Sequence, residues 1–251
     1  ALEQLNEKEK EEWQRVSARL ERICETAYRK SVGVFIDAEE TWIQDPVDVL
    51  TILMMEKFNR ARAVVYNTYQ LYRHDRLSFL HDSLEAARQR DFILGAKLVR
   101  GAYMEKERQR AQDMGYASPI QKDKEHTDND YNEAIHFCVD HIDRIALVVA
   151  SHNENSSQYA IRLMEERGIP HRHPHVHFSQ LYGMSDNITF NLAKAGYSVS
   201  KYLPFGPMED VIPYLMRRAQ ENSSVAGQTS RELMLIRREI TRRKRCRKFV
   251  R

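Results

Sequence analysis

The sequence predicts an α/β fold in which a parallel β-sheet is covered by helices on its outer face. Short apolar runs recur along the chain, and each is followed by a stretch with helical periodicity. Such unbroken runs are typical of buried parallel strands. Polar residues cluster at the end of every run. An open doubly wound sheet would concentrate them at one switch point, whereas a barrel brings all strand ends to one face, so the pattern favours a (βα) barrel.

The predicted elements form about six β/α units without internal repeats. A long amphipathic helix over residues 4–30 comes first. The units that follow are strand 32–38, helix 45–60, strand 61–70, helix 76–90, strand 93–103, helices 105–114 and 129–142 around a polar loop, strand 144–153, helix 156–167, strand 175–183, helix 185–195 and strand 197–202. Asp45 and Pro46 are expected as the N-cap and first turn of their helix. This order predicts an N-terminal helix (1–31), a (βα) barrel domain (32–228) and a basic helical tail (229–251).

Composition indicates a folded protein from a reducing compartment. The 251 residues are 42% hydrophobic, enough for a substantial core, and carry a formal net charge of only +3. Cys24, Cys138 and Cys246 are odd in number and far apart, which argues against disulfides and a zinc knuckle. No apolar run is long enough to span a bilayer, and the highly charged start predicts no signal peptide.

The last predicted helix, 209–222, has two faces of different chemistry. Its apolar face, expected to pack inward, consists of Val211, Ile212, Leu215 and Ala219. The neighbouring edge carries Tyr214, Arg217, Arg218 and Glu221, at i, i+3, i+4 and i+7. Paired guanidinium groups suit a planar carboxylate, because each offers a rigid fork of donors and stays charged. The alternative is a solvated edge that stabilises the helix by roughly a few tenths of a kcal/mol.

A second candidate site lies in KLVRGAY (97–103), where Lys97 sits inside an apolar strand. Arg100 follows, and Gly101 and Ala102 would let a flat ring or a phosphate approach the backbone closely. The alternative is a snorkelling lysine before an ordinary strand-ending glycine. No GxGxxG follows a predicted strand and no GxxxxGK[ST] occurs, so a Rossmann-type site or a P-loop is not expected.

Two other charged segments have a structural and a functional interpretation. His171, His173, His175 and His177 would align on one face of an extended segment, but Pro174 interrupts it and loop histidines are favoured over a metal site. The basic tail RRKRCRKFVR would contact an anionic membrane or nucleic acid, or be a solvated helix end. Its lack of interleaved aromatic residues weakens the nucleic-acid interpretation.

Six segments together resemble the FAD-dependent proline dehydrogenases, a family with a distorted (βα)8 TIM-type barrel. They are IDAEETW (36–42), YNTYQLY (66–72), GAKLVRGAYMEKERQRA (95–111), VVASHNE (148–154), FSQLYGMSD (178–186) and KYLPFGP…YLMRRAQENSS (201–224), in the family's order. GAKLVRGAY and YNTYQ are more similar to the monofunctional, eukaryotic-like type than to the large bifunctional bacterial enzymes. The family barrel has two strands upstream, so the first strands are apparently missing from this chain.

The resemblance implies a role for each matching residue. Those expected around the substrate are Asp37, Tyr103, Leu181, Tyr202, Arg217, Arg218 and Glu221. Arg217 and Arg218 would clamp the proline carboxylate, with Glu221 holding them in register. Tyr202 would pack against the proline ring, where a smaller residue is associated with the hydroxyproline-selective branch. Those expected around FAD are Gln70, Lys97, Val99, Arg100, Gly101, Ala102, Lys124, His152, Asn153 and Gln180.

The implied function is the first step of proline catabolism. L-proline would be oxidised to 1-pyrroline-5-carboxylate by hydride transfer to FAD, and the electrons would pass to a quinone. The resemblance implies the cytoplasmic face of a bacterial inner membrane, or the mitochondrial inner membrane or matrix, with peripheral membrane contact through the tail. No metal and no nucleic-acid partner are expected. The alternatives are a hydroxyproline-preferring dehydrogenase and a non-catalytic barrel module that binds membrane through its basic tail.

Overall fold

The computed structural model describes residues 5–224 and 226–248. Within these residues, helices and strands alternate after a long first helix. The elements are α1 Glu7–Lys30, β1 Val34–Ile36, α2 Thr41–Phe58, β2 Val65–Gln70, α3 Arg76–Arg90, β3 Leu94–Val99, α4 Met104–Met114, α5 Lys124–Asp140, β4 Ile145–Ala150, α6 Glu154–Glu166, β5 Val176–Leu181, α7 Asp186–Lys194, β6 Val199–Tyr202, α8 Met208–Ser224 and α9 Ala226–Lys248. The six predicted β/α units are therefore confirmed.

The six strands form one sheet in sequential order, β1-β2-β3-β4-β5-β6. Each neighbouring pair from β1 to β5 is parallel, with Thr68 opposite Lys97 and Lys97 opposite Val148 in the central strands. A doubly wound sheet reverses its strand order at a switch point, whereas the strands of a barrel follow the chain. The sequential order confirms the barrel-type interpretation over the open sheet.

The core lies between the sheet and its covering helices. Strand β4 (IALVVA) is buried at its first five positions, as expected for a strand covered on both faces. The helices contribute apolar side chains that are fully buried: Leu80, Leu84 and Ala87 of α3 and Ala134, Ile135 and Cys138 of α5. Cys24 and Cys138 are free thiols, as predicted, and burial raises the pKa of Cys24 to about 11. No helix in the described ranges is long and apolar enough to cross a bilayer.

Two helix starts differ from the predictions. Helix α2 begins at Thr41, so Pro46 lies inside it and Asp45 is not its N-cap. A carboxylate from α4, Glu107, accepts hydrogen bonds from both the backbone and the side chain of Thr41, and this distant contact holds the additional first turn. Helix α5 begins at Lys124, within the segment predicted as loop, because Asp123 caps it by accepting from the His126 amide.

The chain divides into two compact units. Unit 1 comprises residues 1–180 and 186–200 and holds the core, and unit 2 comprises residues 181–185 and 201–251. In unit 2, α8 is followed along the chain by α9. The prediction that the apolar face of α8 packs inward is wrong for Ile212 and Leu215, which are 44% and 50% exposed. Periodicity identifies an apolar stripe but not the surface that would cover it.

Candidate active site

The first strand ends of unit 1 hold an ion pair between two predicted site residues. Asp37 directly follows β1, and Lys97 reaches it from β3 by donating from Nζ to the carboxylate. The Lys97 side chain is only 16% exposed, and its ammonium group lies 5.8 Å from the centroid of the Phe35 ring. Lys97 therefore does not snorkel to solvent. The side chain is held at the strand end with its charge on Asp37.

The loop after β1 links three further side chains to the same strand ends. Gln70, at the end of β2, donates from Nε2 to the backbone oxygen of Glu39 at 2.7 Å. The Tyr103 hydroxyl donates to the Glu39 carboxylate. Gln44 accepts from the Glu39 amide at 3.0 Å. Glu39 thus connects Gln70 and Tyr103, which the sequence assigned to the cofactor and to the substrate pocket.

A second cluster surrounds Arg100, which follows β3. Its Nε donates to Asp128 at 2.6 Å, and its two terminal nitrogens donate to the hydroxyls of Ser151 at 2.8 Å and Ser156 at 3.0 Å. Lys124 also donates to Asp128. Burial raises the pKa of Asp128, but the hydrogen bonds from Lys124 and Arg100 outweigh burial and bring the pKa below its usual value. The cluster places two predicted cofactor residues on one carboxylate.

Gly101 and Ala102 are exposed beyond the end of β3, while Val99, its last residue, is half-buried beside Gln70. Gly101 has φ +135°, a conformation that strains other residues, and a Cβ there would lie 2.4 Å from the Tyr72 ring. Packing against Tyr72 is therefore sufficient to explain why glycine is required at position 101.

The strand ends of β4 and β5 carry the remaining predicted cofactor residues. Asn153 caps α6, because its Oδ1 accepts from the Asn155 amide at 2.9 Å. Gln180 is buried and accepts from the Thr189 hydroxyl at 2.9 Å. His152 is half-buried just after β4. Asn153 and Gln180 thus have structural roles that the sequence interpretation did not include.

Unit 2 carries the predicted carboxylate clamp. The rings of Tyr202 and Tyr214 meet edge to face at 5.4 Å, and the Arg218 guanidinium lies 5.2 Å from the Tyr214 centroid. Arg217 is exposed on the same helix. The side chain of Glu221 lies outside the part that the structure describes. Tyr202 and Arg218 therefore flank one aromatic ring.

Leu181 begins the other segment of unit 2. Its backbone oxygen accepts from Lys201 Nζ at 3.3 Å, and the amide of the next residue, Tyr182, donates to Tyr202 at 2.9 Å. These bonds fix Leu181 near the strand that ends in Tyr202.

The histidine segment is a loop up to His175, which confirms the interpretation that the sequence favoured. Strand β5 begins only at Val176, so His171, His173 and His175 lie in the preceding turns. The His171 ring stacks on Tyr197 at 4.3 Å, and the rings of His173 and His175 lie edge to face at 5.4 Å. In the described residues, no three His, Cys, Asp or Glu side chains are grouped as metal ligands would be.

Sequence reasoning missed Glu107 and Asp128 among the residues that organise these clusters. Both are single acidic residues within charged helical stretches, so no local signal distinguishes them from solvated ones. Their partners lie far away in the chain: Glu107 contacts Thr41 and Asp128 contacts Arg100.

Comparison with known proteins identifies the family. The sequence profile described as "Proline dehydrogenase" matches residues 2–231. The chain belongs to the proline dehydrogenase family. It is 40% identical to the mitochondrial proline dehydrogenase 1 of Drosophila melanogaster over 252 residues, which cover 96% of this chain and 37% of that protein. The corresponding Homo sapiens protein is 40% identical over 247 residues, with 97% and 41% covered.

The chain is also similar to a protein with a different name. The hydroxyproline dehydrogenase of Xenopus laevis is 43% identical over 229 residues, which cover 90% of this chain and 49% of that protein. The chain thus spans less than half the length of each of these three curated relatives. Because all three are eukaryotic proteins, the predicted resemblance to the eukaryotic type of proline dehydrogenase is confirmed.

Solved structures agree with the fold. The proline utilization A protein of Bdellovibrio bacteriovorus, inactivated by N-propargylglycine, matches with a TM-score of 0.79 at 25% identity, covering 86% of this chain and 22% of that one. A second proline utilization A structure, with proline bound in remote sites, matches with a TM-score of 0.74 at 24% identity and the same coverage. The predicted fold class, a distorted TIM-type barrel, is confirmed by these neighbours.

Proposed function

We propose that the protein containing this chain oxidises L-proline to 1-pyrroline-5-carboxylate, with FAD as the hydride acceptor. Family membership supports the substrate class. The observation that carries the proposal further is the Lys97–Asp37 pair at the strand ends. A barrel enzyme builds its site at these ends, and a cation held there by a carboxylate provides a fixed donor for a ligand.

The strand-end residues fit a flavin by the chemistry of their donors. An ammonium group has three N–H donors and a guanidinium group has five; Lys97 uses one on Asp37, and Arg100 uses three on Asp128, Ser151 and Ser156. The remaining donors suit a ligand with polar ring edges and phosphates. FAD, when bound, would supply a two-electron acceptor.

The assignments within this donor set follow the family resemblance. The residues proposed to hold FAD are Gln70, Lys97, Val99, Arg100, Gly101, Ala102, Lys124, His152, Asn153 and Gln180. Lys97 would serve the ring, and Lys124, His152 and Asn153 would serve the phosphates and the adenosine end.

The substrate residues would bind and orient proline. Arg217 and Arg218 are proposed to clamp its carboxylate through charge-assisted hydrogen bonds. Tyr202 would pack against the ring, with Leu181 and Tyr103 lining the pocket. Asp37 and Glu221 would hold the cationic groups in place. Orientation of the bound carboxylate presents the carbon next to nitrogen for hydride transfer and is the chain's main contribution to the rate.

A visible spectrum of the purified protein, recorded before and after anaerobic addition of L-proline, tests this proposal. Flavin absorption bands that bleach with proline support the cofactor, the substrate and the reaction together. Bands that persist with proline contradict the substrate assignment. A colourless protein favours the alternative of a non-catalytic module. D-proline at the same concentration is the matched control, because only the ring stereochemistry differs.

A hydroxyproline substrate is the second candidate, since the hydroxyproline dehydrogenase of Xenopus laevis is 43% identical to the chain. Tyr202 favours proline, because the hydroxyproline-selective branch is associated with a smaller residue there. The ratio of kcat/KM for the two substrates decides between them. A Tyr202→Ser variant should shift that ratio toward hydroxyproline if Tyr202 excludes the hydroxyl group.

The electron acceptor and the location are further proposals. A quinone would reoxidise the flavin, and a mitochondrial location follows from the names of the relatives. We propose three parts: the helix 1–31, the catalytic barrel 32–228 and the tail 229–251. The tail would contact the membrane. Its Arg237 and Arg238 are exposed, and Glu239 binds Arg242 and Arg243. Cosedimentation with anionic vesicles should decrease when the tail is deleted, and equal binding would rule out this contact.

A further inference from the structure

The loop 37–41, which links β1 to α2 and includes Thr41, the first residue of α2, is held at several points by side chains from elsewhere in the chain. The side chains of Gln70 and Gln44 bind the backbone of Glu39. Lys106 of α4 donates to the Glu40 carboxylate, and the Tyr103 hydroxyl donates to the Glu39 carboxylate. The loop carries Asp37, which pairs with Lys97. The position of the loop therefore determines the position of the Asp37–Lys97 ion pair.

The most buried of these contacts comes from Glu107, in the first turns of α4. Its side chain is fully buried, although glutamate is one of the residues least often buried in proteins. One carboxylate oxygen accepts from the Thr41 amide at 2.7 Å, and the other accepts from the Thr41 hydroxyl at 2.8 Å. Both carboxylate oxygens of this buried side chain therefore accept hydrogen bonds from the same residue, Thr41.

This contact joins two elements that carry predicted substrate residues. Tyr103 immediately precedes α4, which contains Glu107, and Asp37 lies four positions before Thr41. A buried carboxylate that accepts two hydrogen bonds in a fixed geometry restrains the relative position of both elements. The same carboxylate also holds the first turn of α2, whose N-cap Glu40 makes no side-chain cap.

We propose that Glu107 is a positioning residue that fixes the loop 37–41 through Thr41 and thereby sets Asp37 and Tyr103 for ligand binding. Glu107 would act through Thr41. The role in proline binding rests on the proposed function, whereas the restraint on the loop is independent of it.

Two variants separate the contact from simple folding effects. Thr41→Val keeps the shape and the amide of Thr41 but removes its hydroxyl donor, and Glu107→Gln keeps the size of Glu107 but removes its charge. Thr41→Ser keeps both donors and should restore wild-type behaviour. Glu105→Gln, which neutralises an exposed glutamate in the first turn of the same helix, is the matched charge control.

Hydrogen–deuterium exchange on the 251-residue protein measures the restraint without any ligand. Exchange in residues 37–41 should be about tenfold faster in Thr41→Val and Glu107→Gln, the ratio expected for losing one hydrogen bond to a charged group. Thr41→Ser and Glu105→Gln should match the wild type. Unchanged exchange in Thr41→Val and Glu107→Gln overturns the proposal.

Steady-state kinetics of the flavin-loaded enzyme with L-proline measures the consequence for binding. Thr41→Val and Glu107→Gln should raise KM about tenfold while kcat changes less than about twofold. Equal KM values in all variants, or a Thr41→Ser variant as impaired as Thr41→Val, overturn the positioning role. If the wild type does not oxidise proline, the proposed function fails, and the exchange measurement alone decides whether Glu107 holds the loop.

Discussion

The strand ends of unit 1 and the helix edge of unit 2 carry similar charged side chains in different surroundings. In unit 1 these side chains bind one another: Lys97 and Arg100 are 16% and 21% exposed and pair with Asp37 and Asp128. In unit 2, Arg217 is exposed on α8. A largely buried cation that is already paired contributes to folding, whereas an exposed cation contributes little to stability. Substitutions in unit 1 should therefore change stability, and those at the α8 edge should change ligand affinity.

The largest expected effect is on folding, at a buried ion pair between α2 and α3 of unit 1. Asp48 accepts from Arg76 at 2.6 Å, and both side chains are nearly fully buried. Asp48→Ala should lower the free energy of unfolding by about 3–5 kcal/mol, because it leaves part of a buried guanidinium unpaired. Urea unfolding measures this loss. Glu85→Ala removes an exposed ion pair with Arg88 and should lower the free energy of unfolding by no more than about 1 kcal/mol. An equal loss of stability in Asp48→Ala and Glu85→Ala would contradict the expected difference between buried and exposed pairs.

The opposite result is expected at the α8 edge. Arg217→Met should raise the KM for L-proline about 100-fold, because it would remove the charge-assisted hydrogen bonds proposed for the carboxylate. Its free energy of unfolding should change by less than about 0.5 kcal/mol. Steady-state kinetics and urea unfolding of the same preparation measure both values. Arg237→Met, at an exposed arginine of α9 in the same unit, should change neither. A large stability loss in Arg217→Met would show that α8 uses this residue for folding.

The order of the elements was predictable from sequence, because each depends on a local pattern. Apolar runs gave the strands, periodic stretches gave the helices, and the spread of polar residues favoured a barrel. The start of α2 was not predictable, because local signals at Asp45 and Pro46 are overridden by Glu107, which lies 66 positions from Thr41. Such a contact exists only once the sheet brings α2 and α4 together.

For the candidate site residues, the position at the strand ends was more predictable from sequence than the hydrogen bonds that they make. The strand-end position and the family resemblance both pointed to Asp37 and Lys97, yet their ion pair joins residues 60 positions apart. Asn153 and Gln180 have capping and buried hydrogen-bonding roles that no motif indicates. The apolar stripe of α8 led to a wrong expectation of burial, since amphipathic spacing carries no information about the partner surface.

Substitution of Gly101 separates two possible roles of a residue in unit 1, packing against Tyr72 and contact with a ligand. Gly101→Ala should lower the free energy of unfolding by about 1–3 kcal/mol, because it places a Cβ against the Tyr72 ring at a strained φ. Thermal unfolding and the flavin content after gel filtration should be measured together. Unchanged stability with lost flavin would instead assign the glycine to the ligand. Gly33→Ala, where the nearest atom lies 3.7 Å away, is the matched control and should leave both values close to those of the wild type.

The smallest expected effect is a pH dependence at Asp75, which is partly exposed beside the buried pair. Burial raises the pKa of Asp75, but hydrogen bonds and charges from Arg73 and Arg76 outweigh burial and hold the pKa well below its usual range. The ionised carboxylate therefore stabilises the fold above the unfolded-state pKa of about 4, and this contribution is lost as the pH falls toward the folded-state value. Asp75→Asn should cost no more than about 1 kcal/mol at pH 7, since the side chain is 40% exposed and asparagine keeps an oxygen that can accept from the two arginines. Urea unfolding at decreasing pH should show this difference narrowing, and a constant difference would mean that the ionised form is not what stabilises the fold.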